Sequence, residues 1–258
     1  MEIENIKIKP VWPKTKEEVW ADVFEPLHEQ QGKKGLLRRL PLWSYAASLL
    51  IPILLFCHFY TVTENTDRGE QAIVQLPDRS TVTLNAESRL SYKPLTWFIS
   101  RKVRLEGEAY FEVESGSRFS VLSGSHRVSV LGTVFNVHAR TKTYQVTCLY
   151  GKVEVQAGGR ETVELHPQMQ AIYNGSTFSV YSDVATAKAT GWMQGKFVFD
   201  ETPLPDVIAE VERQYNIDVA PNYEPNHLYT GNFSKTENSP EDVLDIIGKA
   251  FGITFSFK

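Results

Sequence analysis

Residues that build disulfides and metal sites are scarce in this sequence. The chain contains only two cysteines, Cys57 and Cys148, one in an apolar stretch and one in a strand-like segment. We therefore expect no disulfide within the chain, and a lone cysteine in an apolar strand is usually a core residue. The histidines are scattered, and none lies at a metal-ligand spacing from a cysteine or a carboxylate. We expect no metal and no other cofactor.

Catalytic motifs are also lacking. The chain has no Gly-x-Ser-x-Gly segment, which would place a nucleophilic serine on a sharp turn. Residues 191–196 share letters with a phosphate-binding loop, but the spacing is one residue short and Phe197 replaces the magnesium-binding hydroxyl. Four glutamates lie close together: Glu106, Glu108, Glu112 and Glu114. We interpret them as the solvent-facing side of a strand pair. The sequence thus predicts a protein that is not an enzyme.

An excess of positive charge is missing as well. The formal net charge is −4, and the chain after residue 41 carries no stripe of lysine and arginine of the kind that nucleic-acid binding needs. We expect no nucleic-acid partner.

Long apolar runs are absent except at residues 42–62, where no Asp, Glu, Lys or Arg occurs. About 20 apolar residues suffice for a helix to cross a bilayer. Lys33, Lys34, Arg38 and Arg39 precede the run, which predicts that residues 1–41 are cytoplasmic and that the chain beyond is outside. A buried core helix is a weaker alternative because a run of this length has no polar face. A signal peptide is weaker because the run starts late and lacks a cleavage site. His58 is interpreted as interfacial.

The short segment before the run contains one predicted helix, at about residues 15–30. Thr15 and Glu18 have the spacing of a capping box. The apolar stripe that follows consists of Val19, Trp20, Val23, Phe24 and Leu27. A helix this short is marginal in water, so its stripe needs a surface to bury against. Docking to a cytosolic partner and lying on membrane lipid remain alternatives.

Residues 70–182 have the pattern of an all-β region. Short alternating apolar runs recur at intervals typical of a sandwich, barrel or solenoid, and Ala109, Phe111 and Val113 share one predicted core face. Strand spacing alone leaves jelly-roll-like, sandwich and solenoid-like topologies open.

A linker or short helix at 183–195 leads to a different pattern at 196–258. Asp206, Val207 and Ile208 match Asp242, Val243 and Leu244 within a repeated strand–helix–strand unit. Two such units predict a small α+β domain of order β-α-β-β-α-β. Its sheet must leave edges, which can accept a partner strand. The expected fold is therefore membrane-anchored, with a single transmembrane helix, an all-β domain and then this α+β domain.

Four blocks in the β region resemble the FecR family of transmembrane anti-sigma regulators of the Bacteroidetes type. They are Leu76–Ala86, Ser88–Tyr92, Gly107–Val113 and Val130–Val137. The tail from Phe197 to Leu204 onward looks like the short secretin/TonB-type domain that ends many members. The blocks are specific as an ordered set.

The resemblance implies a signal relay at the bacterial inner membrane. Family members hold an extracytoplasmic-function (ECF) sigma factor at the cytoplasmic face, and their periplasmic part binds the signalling domain of a TonB-dependent outer-membrane transporter. On this basis we assign sigma contacts to Trp20, Val23, Phe24 and Leu27. Transporter contacts are assigned to the predicted strand that contains Tyr229, Gly231 and Phe233.

The chain departs from the family pattern at three points. Its cytoplasmic helical region is shorter than usual, and Arg79 and Gln168 stand where turn glycines are frequent. A type I turn would accept both residues, because it needs no positive φ.

Some members also cleave themselves at a Gly–Thr bond, which matches Gly132-Thr133 here. The Thr133 hydroxyl would attack the Gly132 carbonyl in an N→O acyl shift. A glycine bulge followed by an ordinary threonine is the alternative that we favour.

The function predicted from the sequence is that of an inner-membrane anti-sigma factor or sigma regulator controlling nutrient-uptake genes. The alternative is a membrane-anchored periplasmic β-structured binding or scaffold protein without a sigma partner.

Overall fold

The computed structural model describes residues 14–21, 42–140, 144–158, 161–220, 223 and 226–257. After residue 41, the described α-helices are α1 (Leu42–Phe59), α2 (Thr186–Thr190), α3 (Leu204–Tyr215) and α4 (Pro240–Phe251). Single turns of 3₁₀ helix occur at Pro94–Thr96 and Gly191–Gln194.

The predicted capping box is present at the start of the N-terminal helical segment. The backbone N–H of Thr15 donates to Glu18 Oε2 over 2.8 Å, and the N–H of Glu18 donates to Thr15 Oγ1 over 3.4 Å. Residues 16–21 are helical. The rest of the predicted helix, with Val23, Phe24 and Leu27, lies outside the described residues.

Helix α1 occupies most of the apolar run and ends at Phe59, three residues before the predicted end. Val62 begins a strand that the sequence reading missed, because it was counted with the apolar run. In the part of the chain that the structure describes, no helix combines the length and apolarity of a membrane-spanning segment.

The strands of the β-rich region follow one another with short turns. They are β1 (Val62–Thr66), β2 (Ala72–Gln75), β3 (Thr81–Leu84), β4 (Ser88–Tyr92), β5 (Arg101–Glu112), β6 (Phe119–Ser123), β7 (His126–Val130), β8 (Val134–Ala139), β9 (Tyr144–Tyr150), β10 (Val153–Ala157), β11 (Glu161–Leu165), β12 (Gln170–Tyr173) and β13 (Phe178–Tyr181). The all-β pattern predicted for this part of the chain is confirmed, because period-two alternation is a local signal.

Two sheet layers share β5. The first half of β5 pairs with β4 and β6, and its second half pairs with β3 and β8. The first layer has the order β1-β4-β5-β6-β7-β10-β11 and the second has β2-β3-β5-β8-β9-β12-β13. The described strand pairs are antiparallel except β5 with β6. The result is a nearly closed, sandwich-like β region.

Gly107 marks the corner at which β5 passes from one layer to the other. Its φ is +99°, and a Cβ there would collide with Ser88. A glycine inside a strand can bend it without ending it, so the residues on both sides of Gly107 belong to the single strand β5.

The core of the β region lies between the two layers. Phe111 stacks on Phe135 at a centroid distance of 5.0 Å and meets Phe119 of the other layer at 6.2 Å. All three side chains are fully buried. Truncation of such a phenylalanine to alanine typically costs about 3–5 kcal/mol, so these rings hold the layers together.

The C-terminal region contains β14 (Lys196–Pro203), α3, β15 (Leu228–Ser234) and α4, with β14 and β15 paired antiparallel. The expected order β-α-β-β-α-β is only partly present. Among the described residues, the second and fourth predicted strands meet in one isolated bridge, Val219 with Phe257. The N–H groups of Ile217 and Ile253 donate to Glu212 O and Gly248 O in the preceding helices. They are therefore not available for hydrogen bonds between strands.

Candidate functional site

A buried carboxylate, Glu108, lies where the C-terminal region covers the outer face of the second sheet layer. Its exposed fraction is 7 %, so the prediction that it faces solvent was wrong. Asn85 Nδ2 donates to Glu108 Oε2 over 2.8 Å, and Asn136 Nδ2 donates to Oε1 over 2.9 Å. A buried charge must be hydrogen-bonded, and here both carboxylate oxygens are.

Each asparagine also contacts the C-terminal part of the chain. Asn85 Oδ1 accepts from Gln214 Nε2 of α3 over 2.9 Å. Asn136 Oδ1 accepts from Trp192 Nε1 over 3.4 Å. We call these five buried residues the Glu108 network: Asn85, Glu108, Asn136, Trp192 and Gln214. Four hydrogen bonds of this network thus join the β region to Trp192 and to α3.

Ion pairs surround this network at its solvent-exposed rim. Arg68 contacts Asp218 at 2.7 Å and Glu87 at 3.3 Å, and Arg213 contacts Glu87 at 3.0 Å. Burial alone would raise the pKa of the Glu87 carboxyl. The hydrogen bonds from Arg68 and Arg213 outweigh that effect, so its pKa lies below the ordinary value. Exposed pairs contribute little individually, and these orient the two regions.

Backbone contacts complete the same junction. The Gly69 N–H donates to Arg213 O over 2.8 Å, and Lys235 Nζ donates to Gly69 O over 3.0 Å. Gln71 Nε2 donates to Trp192 O over 2.9 Å. Burial lowers the pKa of the Lys235 ammonium. The turn 67–70 is therefore held from both sides by the C-terminal region.

The residues assigned to transporter binding lie on β15. The side chains of Tyr229 and Phe233 are buried in the C-terminal core, where Phe233 stacks on Phe197 at 4.9 Å. Gly231 lies between them, and a Cβ there would approach Tyr229 Oη to 2.5 Å. A partner would therefore meet backbone rather than these two side chains.

A groove of about 370 Å³ runs beside β14. Val198 and Phe199 line one wall, and Thr147 and Gln170 of the β region line the other. In the described part of the chain β14 pairs with β15 alone, which leaves its second edge without a strand neighbour. This groove was missed from the sequence because the β region supplies part of its lining.

Gly132 and Thr133 lie in the connection between β7 and β8. Thr133 pairs with Val113 through N–H and C=O, and its Oγ1 donates to Lys152 O over 3.1 Å. The side chain of Thr133 is buried. Self-cleavage here stays a hypothesis; the hydroxyl that would attack donates to a backbone carbonyl rather than to a side chain that could act as a general base.

Of the predicted sigma contacts, only Trp20 lies in the described part of the chain. It lies in the helical segment 16–21 and is about half exposed, as is the neighbouring Val19. Over the described ranges, no group of three or more His, Cys, Asp or Glu side chains is arranged to hold a metal ion.

Comparisons with known proteins assign both regions of the chain. A family model described as FecR protein matches residues 62–154, and one described as FecR, C-terminal, matches residues 196–258. No curated protein matches the chain.

Solved structures with this fold include two of a candidate anti-sigma factor from Parabacteroides distasonis ATCC 8503, at 2.50 and 1.65 Å resolution. Each is 32 % identical to this chain with a TM-score of 0.70. The alignments cover 77 % and 76 % of this chain and 95 % of the neighbour in both cases.

Fold and comparisons together define the class of protein as an anti-sigma factor or sigma regulator, which is a regulatory and non-enzymatic kind of protein. The chain belongs to the FecR family. Membership implies a sigma factor as partner, and proteins of this family are generally membrane-associated.

Proposed function

We propose that this chain is a single-pass inner-membrane regulator that relays a signal from a TonB-dependent outer-membrane transporter to a cytoplasmic ECF sigma factor. It would thereby control the transcription of nutrient-uptake genes. The observation that carries the proposal is the family match over both the β region and the C-terminal region, at 62–154 and 196–258.

The proposed topology rests on the run at 42–62. Its helix α1 contains no Asp, Glu, Lys or Arg, and basic residues lie on the N-terminal side of the run. The positive-inside rule then places residues 1–41 in the cytoplasm and the domains after it in the periplasm.

The proposed sigma-binding surface is the apolar stripe of the segment 15–30. Its capping box satisfies N–H groups at the helix start, which lowers the cost of forming the helix on a partner. Trp20, Val23, Phe24 and Leu27 would bury their side chains against the sigma factor, and an amphipathic helix in a groove is a common recognition mode.

The proposed transporter-binding surface is the small sheet of the C-terminal region, with Tyr229, Gly231 and Phe233 on one strand and the groove beside β14 on the other side. An extended segment of the signalling domain would add to an unpaired strand edge through main-chain hydrogen bonds. The Glu108 network holds both walls of that groove in register.

Transcript profiling in the native host tests the proposal. Deletion of residues 1–30, and separately Trp20→Ala, should change the transcripts of one sigma regulon, whereas Lys16→Ala on the same helical segment should not. Unchanged transcripts in the deletion strain would contradict the proposal. They would favour the alternative of a membrane-anchored periplasmic binding or scaffold protein without a sigma partner.

A further inference from the structure

Large apolar side chains are exposed at one end of the β region. The turn between β4 and β5 carries Phe98 and Ile99, whose exposed fractions are 86 % and 73 %. Neighbouring turns add further exposed residues. We call the whole set the apolar end: Leu95, Phe98, Ile99, Leu131 and Tyr150. Isolated exposed leucines are ordinary, whereas a contiguous apolar patch marks an interaction surface.

Strand register brings these residues together. Arg101, at the start of β5, pairs with Phe119, which in turn pairs with Val130 at the end of β7. Leu131 therefore emerges beside the turn that carries Phe98. Tyr150 pairs with Val134, just after the connection that contains Leu131.

Hydrogen bonds close this end of the region. Arg101 donates to Ser117 O over 2.7 Å and to Glu114 O over 2.9 Å, and the Gly116 N–H donates to Leu131 O over 2.9 Å. The turns that follow β4, β5 and β7 thus lie on one surface.

The turn at 94–99 packs over a buried tryptophan. Trp97 is buried beneath it and makes edge-to-face contacts with Tyr92 at 5.8 Å and Phe119 at 5.9 Å. Because this indole fills the space below, Phe98 and Ile99 have no core position to enter and project outward.

The end of α1 lies at the same end of the β region. Lys93 Nζ donates to the carbonyl oxygen of His58 over 2.7 Å, and Val62 pairs with Tyr92. Phe59 and Tyr60, at the helix end, are also exposed. The opposite end of β1, at Thr66, pairs with Ser88 beside the junction with the C-terminal region.

Positive side chains flank the apolar end. Lys102, Arg118 and Lys152 are exposed around it, and Lys93 lies against the helix end. Arg118 also pairs with Glu154 at 3.3 Å, and Lys152 pairs with Glu164 at 3.0 Å. Lysine and arginine with aromatic residues are the composition of surfaces that lie in a lipid headgroup layer, where the charged tips reach water and anionic lipid.

We propose that the apolar end rests on the lipid bilayer, with Phe98 and Ile99 inserted at the headgroup–acyl boundary of the leaflet that faces the β region. This inference rests on the proposed membrane topology. The contact fixes how the β region stands on the membrane, and it holds the groove beside β14 and the Glu108 network on the side away from the lipid.

The test uses the full chain in nanodiscs of phosphatidylethanolamine and phosphatidylglycerol, with nitroxide labels at single cysteines. One label goes on native Cys57, one on Phe98→Cys and one on the control Ser125→Cys, the last two in a Cys57→Ser background. Cys148 is fully buried, and burial raises the pKa of its thiol to about 11, so that it should not react. The collision rate of a label with oxygen reports its exposure to lipid, and the collision rate with a water-soluble nickel complex reports its exposure to water.

The proposal expects the Phe98 label to lose most of its nickel collisions relative to the Ser125 label and to gain oxygen collisions. A Phe98 label as water-exposed as the Ser125 label, beside a lipid-exposed Cys57 label, would overturn the lipid contact and leave the topology intact. A water-exposed Cys57 label would overturn the span. A lipid-facing Phe98 label in that case would still support the lipid contact.

Discussion

Asn85 donates a 2.8 Å hydrogen bond from Nδ2 to the buried Glu108 carboxylate. The same asparagine accepts from Gln214 of the C-terminal region through its Oδ1. One side chain therefore links the outer face of the β region to α3. The contact makes the position of the groove beside β14 depend on a polar network in the β region.

Replacement of the central carboxylate should destabilise the protein. Glu108→Gln places an amide N–H₂ against the N–H₂ group of Asn85 or Asn136, and an unsatisfied buried donor costs about 1–3 kcal/mol. Urea unfolding measures the loss. The matched control is Glu106→Gln, two residues along the same strand and exposed, which should change the free energy of unfolding little. Equal values for the two variants would contradict the role of the network.

Acidification should loosen the rim of the junction. Because the folded-state pKa of Glu87 is lowered, its pairs with Arg68 and Arg213 stabilise the fold above its unfolded pKa of about 4.3, and this is lost as the pH falls through the lowered value. Amide exchange at Gly69, measured from neutral pH downward, reports the opening. Glu87→Gln should remove this pH-dependent part; an unchanged profile in that variant would refute the assignment.

The turn at Arg79 should gain stability from a glycine. Its φ is +72°, and that of Gln168 is +66°, so the type I turns predicted from the sequence were wrong at both positions. A left-handed residue with a side chain costs about 1–2 kcal/mol, which the greater freedom of glycine in the unfolded chain partly offsets. Arg79→Gly should raise the thermal midpoint, whereas Arg79→Ala should not. A lower midpoint for the glycine variant would contradict this account.

The Gly132–Thr133 bond should stay intact. The Thr133 hydroxyl donates to Lys152 O, and Gly132 is not among the residues with positive φ. Mass spectrometry of the membrane-extracted protein should show one full-length chain. Two fragments meeting at residue 132, absent from Thr133→Ala, would establish self-cleavage instead.

A charge in the groove should weaken transporter binding. Val198 is about half exposed on β14 and lines the groove. Val198→Asp would bury an unpaired carboxylate under an added strand, so we expect at least about a tenfold loss of affinity, or roughly 1.4 kcal/mol, for the transporter's signalling domain. Val180→Asp, at a similarly exposed valine of β13, is the control. Parental affinity in both variants would exclude this groove as the contact.

The parts of the fold that are set by neighbouring residues were predictable. Ser239 and Pro240 begin α4 through a capping box, and Gly252 ends it with φ +68°, as expected from short-range rules. Alternation placed Ala109 and Phe111 in the core for the same reason.

What depends on distant contacts was not predictable. The alternation of β5 predicts that Glu108 faces solvent, because Ala109 and Phe111 face inward. In the structure the C-terminal region covers Glu108, and that contact is not encoded in the strand itself. Asn136, between two core residues of β8, was a usable signal, since a polar residue inside an apolar run needs a buried partner.

Capture of a sigma factor by the full-length chain tests the central claim most directly. The detergent-solubilised protein would be used as bait against the host's sigma factors, with Trp20→Ala and Phe24→Ala as variants and Lys16→Ala as control. We predict that one ECF sigma factor is retained by the parent and by Lys16→Ala and is lost from the other two. Retention of no sigma factor, or equal retention by all four proteins, would contradict the claim that this segment binds a sigma factor.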